Sequence, residues 1–317
     1  MKSYLLTELA TDDNFNEEAY LLANPDVAMD VKKGISLLSG RQHFDVFGKA
    51  EGRCIRLPFA VISEPKTKKL ERIKPLLKDD MPFTETSGRL FDFLNEELRS
   101  LYNIVNTDAV SSNNYDRDVL EIIKKNTDGL VLDCGAGRRD EYYENIVNFE
   151  IVDYDTTDVL GVGESLPFID NAFDAVISLS VLEHVKNPFL CAKEISRVLK
   201  PGGNLICSVP FLQPFHGYPH HYYNMTGQGL SNLFDSMLCV DKIEVNEKAV
   251  PIWSLTWFLR NWVNGLKGET KDNFLQMKVA DLIETADKYL DMPFVKELSH
   301  EKNLELAYAT VLFAHKK

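Results

Sequence analysis

Leu130-Val131-Leu132-Asp133-Cys134-Gly135-Ala136-Gly137 sets the reading of the whole chain. Three apolar residues in a row predict a strand buried on both faces, the kind found inside a parallel sheet. An acid follows, and two glycines one residue apart let the backbone turn tightly where a side chain would fill space needed by a ligand. A strand running into such a turn suits a nucleoside cofactor, although Asp-x-Gly-x-Gly also fits a plain tight turn. The segments on either side decide between the two.

Downstream, the polar run Arg138-Arg139-Asp140-Glu141 precedes Ile146 to Val152, which reads as a second strand. Its Glu150 stands seventeen residues beyond Asp133, where an acid ending the neighbouring strand of a doubly wound sheet can accept both hydroxyls of a ribose. Asp153 and Asp155 lie close enough to compete for that role, with Asp155 the better fit to a solvated loop acid. Val159 to Val162 fits a short third strand, Phe173 to Leu179 a fourth buried one and Leu205 to Val209 a fifth. A helix opens through Asn187-Pro188 and stops near Lys200-Pro201-Gly202-Gly203. Strands alternating with helices predict an α/β domain with a largely parallel sheet.

Four motifs follow one another here: the glycine turn, Leu166-Pro167-Phe168, Leu182-Glu183-His184-Val185 and Leu199-Lys200-Pro201-Gly202-Gly203. In that order and spacing, residues 130 to about 235 resemble the class I S-adenosylmethionine-dependent methyltransferases, of the type 11 group. The resemblance implies a Rossmann-like, doubly wound, seven-stranded and mostly parallel sheet, with S-adenosylmethionine as cofactor and S-adenosylhomocysteine as product. By the same resemblance Asp133, Gly135 and Gly137 would hold the amino-acid end of the cofactor, and Glu150, with Asp153 as its rival, the ribose. Gly163, Glu164 and Ser165 would border the adenine, and Ser178 to Ser180 would form the floor beneath the sulfonium. Two departures stand out. Many relatives carry an Asp where this chain has Val162, so adenine contact falls to backbone or to Glu164. Ubiquinone-pathway relatives hold a metal with Glu-x-x-Glu-His, but Ser180 replaces the first glutamate, so no metal is expected at Glu183 and His184 unless later histidines complete the site. A nicotinamide dehydrogenase is disfavoured because the glycine turn lacks the third glycine of the dinucleotide fingerprint.

The segment Pro210 to Thr226 holds three of the seven histidines, His216, His220 and His221, among prolines and aromatics. It leaves the carboxyl end of a strand, the edge of an open parallel sheet where ligands bind. Methyl transfer is an in-line displacement, so the protein supplies alignment and, for a hydroxyl acceptor, proton removal. A neutral histidine performs the latter near neutral pH. His216, then His220 and His221, are the candidate bases, with His184, Tyr222 and Tyr223 lining the acceptor. The alternatives are a histidine-rich metal site, or adjacent histidines that point apart, one structural and one in solvent.

Beyond this loop, Leu238 to Val245 predicts a sixth strand and Leu306 to Ala314 a closing antiparallel strand. Between them, residues 250 to about 300 read as a helical insertion carrying Trp253, Trp257 and Trp262, a lid or an oligomer surface. Trp253 and Trp257 share a helical face that reads as core, with a sugar-stacking platform as the alternative.

Upstream, residues 1–57 read as a few short helices. The wording Tyr20-Leu21-x-x-Asn24-Pro25-Asp26-Val27-Ala28 and Ser39-Gly40-x-x-His43-Phe44-x-x-x-Gly48-x-x-Glu51-Gly52-Arg53 resembles a module found beside glycosyltransferases and methyltransferases of surface-glycan assembly. His43 and Arg53 read as closing helix ends. Residues 58–125 read as a Lys- and Pro-rich connector over 62–80, a helix over 90–106 and another over 119–124, with Asn113 and Tyr115 at a break, read first as solvated turn residues and otherwise as closing over a cofactor. The methyltransferase domain is expected over 126–317.

A net charge of −13 argues against nucleic acid and anionic membranes as partners, which need concentrated Lys and Arg. Five irregularly spaced cysteines read as reduced and structural. No apolar run approaches a membrane span, and a cytoplasmic location is expected. The expected activity is methyl transfer to a hydroxyl or amine of a small molecule or glycan-pathway intermediate. The alternative is a catalytically silent cofactor-binding scaffold that recruits glycan enzymes.

Overall fold

Val131 and Leu132 are wholly buried, and they lie at the centre of the sheet that their composition demands. The computed structural model describes residues 2–34, 39–86, 88–105, 114–217 and 219–312. They fall into two units, Met1–Val181 with Lys186–Ser208, and Leu182–Val185 with Val209–Lys317.

In the first unit the main sheet has seven strands, numbered here β1 (Thr84–Thr86), β2 (Leu90–Asp92), β3 (Val131–Cys134), β4 (Ile146–Glu150), β5 (Val159–Leu160), β6 (Phe173–Leu179) and β7 (Leu199–Ser208). Their order is β7-β6-β3-β4-β5-β2-β1. Every neighbouring pair is parallel except β1 and β2. From β3 the chain moves outward through β4 and β5, then crosses back to β6 and β7. The switch in direction lies between β3 and β6, where an open sheet parts its loops and admits a ligand.

The sheet is seven-stranded and mostly parallel, but two of its strands are not the expected ones. Among the described residues neither 238–245 nor 306–312 takes strand geometry, and Phe313 and Ala314 lie outside the described residues. An alternating apolar pattern offers a pleated surface but no hydrogen-bonding partner, and pairing is what makes a strand. The edge is filled instead by a hairpin, β1 and β2, whose second strand lies where the spacing predicts the start of a helix. Leu90, Phe91 and Phe93 are buried on both sides of the chain, and Phe91 pairs with Val159. The helix begins only at Glu96–Tyr102, capped by Asn95, whose side chain accepts from Leu98 N.

The connector expected over 62–80 contains a helix, Ser63–Ile73. Its lysines are not solvated: Lys66 and Lys69 are buried and aimed at Asp158. Lys69 Nζ lies 2.8 Å from Asp158 Oδ2, Lys66 Nζ lies 3.5 Å from Oδ1, and the Tyr142 hydroxyl donates to Oδ1 at 2.6 Å. Burial pushes Lys69 down to about 8 despite Asp158. Burial would raise Asp158, but Lys69 and Lys66 override it and hold the carboxyl below its ordinary value.

The amino-terminal residues form short helices, among them Glu17–Ala23 and Pro25–Lys33, around Tyr20, Val27, Phe44 and Ile55. His43 Nδ1 meets the Tyr20 hydroxyl at 2.9 Å in this core, and Arg53 pairs with Asp26 at 2.8 Å and Glu51 at 2.7 Å.

The second unit is helical, with Gly227–Phe234, Ile252–Gly265 and Gly268–Leu275 as its longer helices. Leu266, Phe274, Phe294 and Leu298 form its core, and Trp262 packs on them. Trp253, expected inside, is 61% exposed. An apolar face on a helix is covered only where another element reaches it, and spacing alone does not supply that element. No helix among the described residues is long and apolar enough to cross a membrane.

Candidate functional site

At the switch in the first unit, Asp133 is fully buried. Its Oδ2 accepts from the Tyr115 hydroxyl at 2.5 Å and from the Arg139 guanidinium, which lies 4.1 Å above the Tyr115 ring. Its Oδ1 is buried without a hydrogen-bond partner among the described residues. Burial works against the Arg139 charge, and Asp133 outweighs it; burial and Asp133 together push the Tyr115 hydroxyl far up. Arg139 was absent from the expected site. The only signal was a pair of arginines after the glycine turn, and sequence cannot tell which one turns inward. Arg138 points elsewhere, over the Tyr154 ring at 5.0 Å. Asn113 lies outside the described residues.

Gly135 and Gly137 have φ of +88° and +64°, the left-handed region that a side chain disfavours. A Cβ on Gly135 would sit 2.4 Å from Val181 Cγ2, so the space it keeps clear belongs to the protein rather than, as expected, to a ligand. The turn is tied to β4: Gly135 N and Ala136 N donate to Phe149 O at 2.9 and 3.1 Å, and Gly137 N donates to Glu150 Oε2 at 2.8 Å. Glu150 Oε1 accepts from Ile151 N at 2.7 Å. Burial raises the Glu150 carboxyl against the pull of these two amides.

Glu150 therefore stands beside the glycine turn, and its rivals do not. Asp153 is exposed and paired with Arg89. Asp155 is not the solvated acid expected: buried Arg56 grips it at 2.8 and 3.0 Å while also reaching Asp140 at 2.9 Å. Around the expected adenine pocket, Ser165 N donates to Val162 O at 3.0 Å, and buried Glu164 accepts from Asn187 N at 3.2 Å. Burial raises Glu164. Gly163 faces the Cys191 sulfur, 2.7 Å from where a Cβ would lie. Ser178, at the end of β6, is wholly buried with Oγ unpartnered. Ser180 takes a left-handed φ of 55° and donates its N–H to Ser208 O at 2.9 Å.

In the second unit a separate cluster gathers Glu183, His184, His216 and His221. The backbone N–H groups of Tyr222 and Tyr223 donate to Glu183 O at 2.7 and 3.2 Å, which holds the aromatic loop beside Glu183, and both tyrosine rings stand exposed. The His184 and His216 rings meet edge to face at 5.2 Å, and His216 and His221 lie 4.2 Å apart. His221 is held at both nitrogens: Nδ1 accepts from His216 N at 3.2 Å and Nε2 donates to Asn224 Oδ1 at 2.9 Å. His220 lends its backbone oxygen to His184 Nδ1 at 2.5 Å, and its ring lies against Tyr222. Burial pushes Glu183 up to about 8 and His184 down to about 4.

Residues 132–207 match the methyltransferase domain family. The chain is 52% identical over 46 residues to the uncharacterized protein YafE of Escherichia coli, covering 14% of this chain and 22% of that protein. It is 44% identical over 57 residues to an uncharacterized methyltransferase of Mycobacterium leprae, 18% of this chain and 21% of that one. It is 39% identical over 77 residues to an uncharacterized methyltransferase of Mycobacteroides abscessus, 23% and 30% of the two chains. The matched segments thus span less than a third of these relatives. Among solved structures, phosphoethanolamine N-methyltransferase 2 of Haemonchus contortus in complex with S-adenosyl-L-methionine is similar at a TM-score of 0.31 and 15% identity, over 56% of this chain and 46% of that one. A possible histamine N-methyltransferase of Thermotoga maritima gives 0.30 and 21%, over 34% and 63%. The strand order, the glycine turn and the matched segment agree that residues 132–207 carry the fold of a class I methyltransferase domain.

Proposed function

We propose that the chain transfers a methyl group from S-adenosylmethionine to a hydroxyl or amine of a small molecule or glycan-pathway intermediate. One observation carries the reading. Two buried polar atoms, Asp133 Oδ1 and Ser178 Oγ, lack partners among the described residues at the carboxyl ends of adjacent strands β3 and β6. Buried polar groups are nearly always hydrogen-bonded, so orphans at a topological switch mark a place for ligand donors. An ammonium and a ribose, with donors and no shortage of them, fit this acidic set, in which Glu150 retains acceptor capacity beyond its two amide bonds.

When bound, the cofactor supplies a methyl carbon already activated by positive sulfur. Asp133 takes the ammonium of its amino-acid end and Arg139 offers the carboxylate a cation, while Glu150 accepts from the ribose hydroxyls. Glu164 borders the base. For a hydroxyl acceptor a histidine removes the proton. His216 is the first candidate for that base, then His220, while His221 has both nitrogens engaged within its loop. Titration calorimetry with S-adenosylhomocysteine should show one site per chain. Labelled-methyl transfer into cell extract should follow, and binding without transfer would favour a silent scaffold.

A further inference from the structure

Glu183 is fully buried, and neither carboxylate oxygen has a hydrogen-bond partner among the described residues. A buried carboxylate is expensive unless it is paired or coordinates a metal. Its neighbours are two histidines whose tautomers are fixed by the fold. His184 Nδ1 donates to His220 O at 2.5 Å and His216 Nδ1 donates to Pro214 O at 2.9 Å, since a carbonyl can only accept. In both rings Nε2 therefore carries the lone pair. A backbone carbonyl on the far nitrogen is the usual support behind a metal-binding imidazole.

We propose that Glu183, His184 and His216 form a binding site for one divalent transition-metal ion of the Zn²⁺ class. One ligand atom from each of the three lies within 4.8 Å of the others, and His184 Nε2 lies 3.7 Å from Glu183 Oε1. Ligand bonds of about 2.0–2.2 Å in tetrahedral geometry place neighbouring donors about 3.3–3.6 Å apart, so small side-chain shifts close the shell. Two imidazoles and one carboxylate select a borderline cation over Ca²⁺ or Mg²⁺, and three protein ligands leave a fourth position open to an oxygen ligand. Ser180 stands where a first glutamate would be needed, which leaves a metal here open only if a later histidine completes the set; His216, thirty-two residues beyond His184, supplies that ligand from another loop. His221 stays outside the set because both its nitrogens are already committed. With the ion bound, His216 Nε2 is a ligand and proton removal passes to His220. The site does not depend on the methyl-transfer reading.

The test is equilibrium dialysis of the chelator-stripped full chain against Zn²⁺, with Co²⁺ as a visible-absorption reporter of the ligand set. The wild type should bind one ion per chain and give the intense visible bands of a tetrahedral Co²⁺ site. H184A, H216A and E183Q should each weaken binding by at least about 100-fold, more than the loss of a supporting outer residue. H221A should bind as the wild type does. E183Q removes a buried charge without changing shape, so its metal-free melting temperature should equal or exceed that of the wild type, which separates lost binding from lost folding. A stripped wild type that takes up neither ion, or an H216A chain with unchanged affinity and Co²⁺ spectrum, would overturn the assignment.

Discussion

Arg139 closes on one oxygen of Asp133 and leaves the other without a partner, so a single buried carboxylate is half satisfied by the protein and half available. An Asp133→Asn chain should bind S-adenosylhomocysteine about 10- to 100-fold more weakly, the worth of a charge-assisted hydrogen bond. 5′-Methylthioadenosine, which lacks the amino-acid end, should be affected little. Calorimetry with both ligands reads the difference, and equal losses would place Asp133 elsewhere than at the amino-acid end. Arg139→Met should instead cost stability, about 3–5 kcal/mol, because it strands a buried carboxylate.

Glu150 is raised by burial above the ordinary carboxylate value. A protonated carboxyl loses acceptor capacity for ribose hydroxyls. Affinity for S-adenosylhomocysteine should therefore fall on acidification, beginning above the usual range near 4.5. Glu150→Gln should flatten that dependence, and an unchanged profile in this variant would remove Glu150 from the cofactor site.

Asp158 joins the Ser63–Ile73 helix to the sheet through Lys66 and Lys69. Its carboxyl is held below the ordinary value, so its stabilising contribution is complete above the unfolded value near 3.8 and is lost as pH falls through the lowered folded value. Asp158→Asn leaves two buried ammonium groups without their countercharge and should cost about 3–5 kcal/mol at neutral pH. Urea unfolding at neutral and acid pH checks both; the variant's deficit should shrink only in strong acid.

Gly135→Ala meets two obstacles, a left-handed φ and the Val181 side chain. The backbone share is about 1–2 kcal/mol. Adding Val181→Ala should restore the steric share and leave that remainder. Thermal melts of the two variants separate the terms, and full recovery in the double variant would mean that φ carries no strain there.

Much of the first unit was legible because it depends on local rules. Buried parallel strands declare themselves as continuous apolar runs, and a strand followed by glycines and then by an acid-ended strand leaves few topologies. Asp133, Gly137 and Glu150 could be placed on that basis. The lysines of residues 63–73 could not, since Lys-rich sequence reads as solvated unless the fold brings Asp158 to it. The hairpin Thr84–Asp92 was hidden for a related reason: a three-residue strand has no period to read, and the pairing of Phe91 with Val159 spans sixty-eight residues.

The amino-acid order by itself determined the strand-turn-acid framework, because hydrophobic periodicity and glycine conformations act over a few residues. Only the tertiary structure decided that Arg139 rather than Arg138 faces Asp133, that Glu183 is buried without a hydrogen-bond partner among the described residues, and that His184 and His216 each engage a backbone carbonyl through the same nitrogen, Nδ1. Those facts rest on contacts between residues distant in the chain and on the removal of water from around them, and neither is encoded in local spacing.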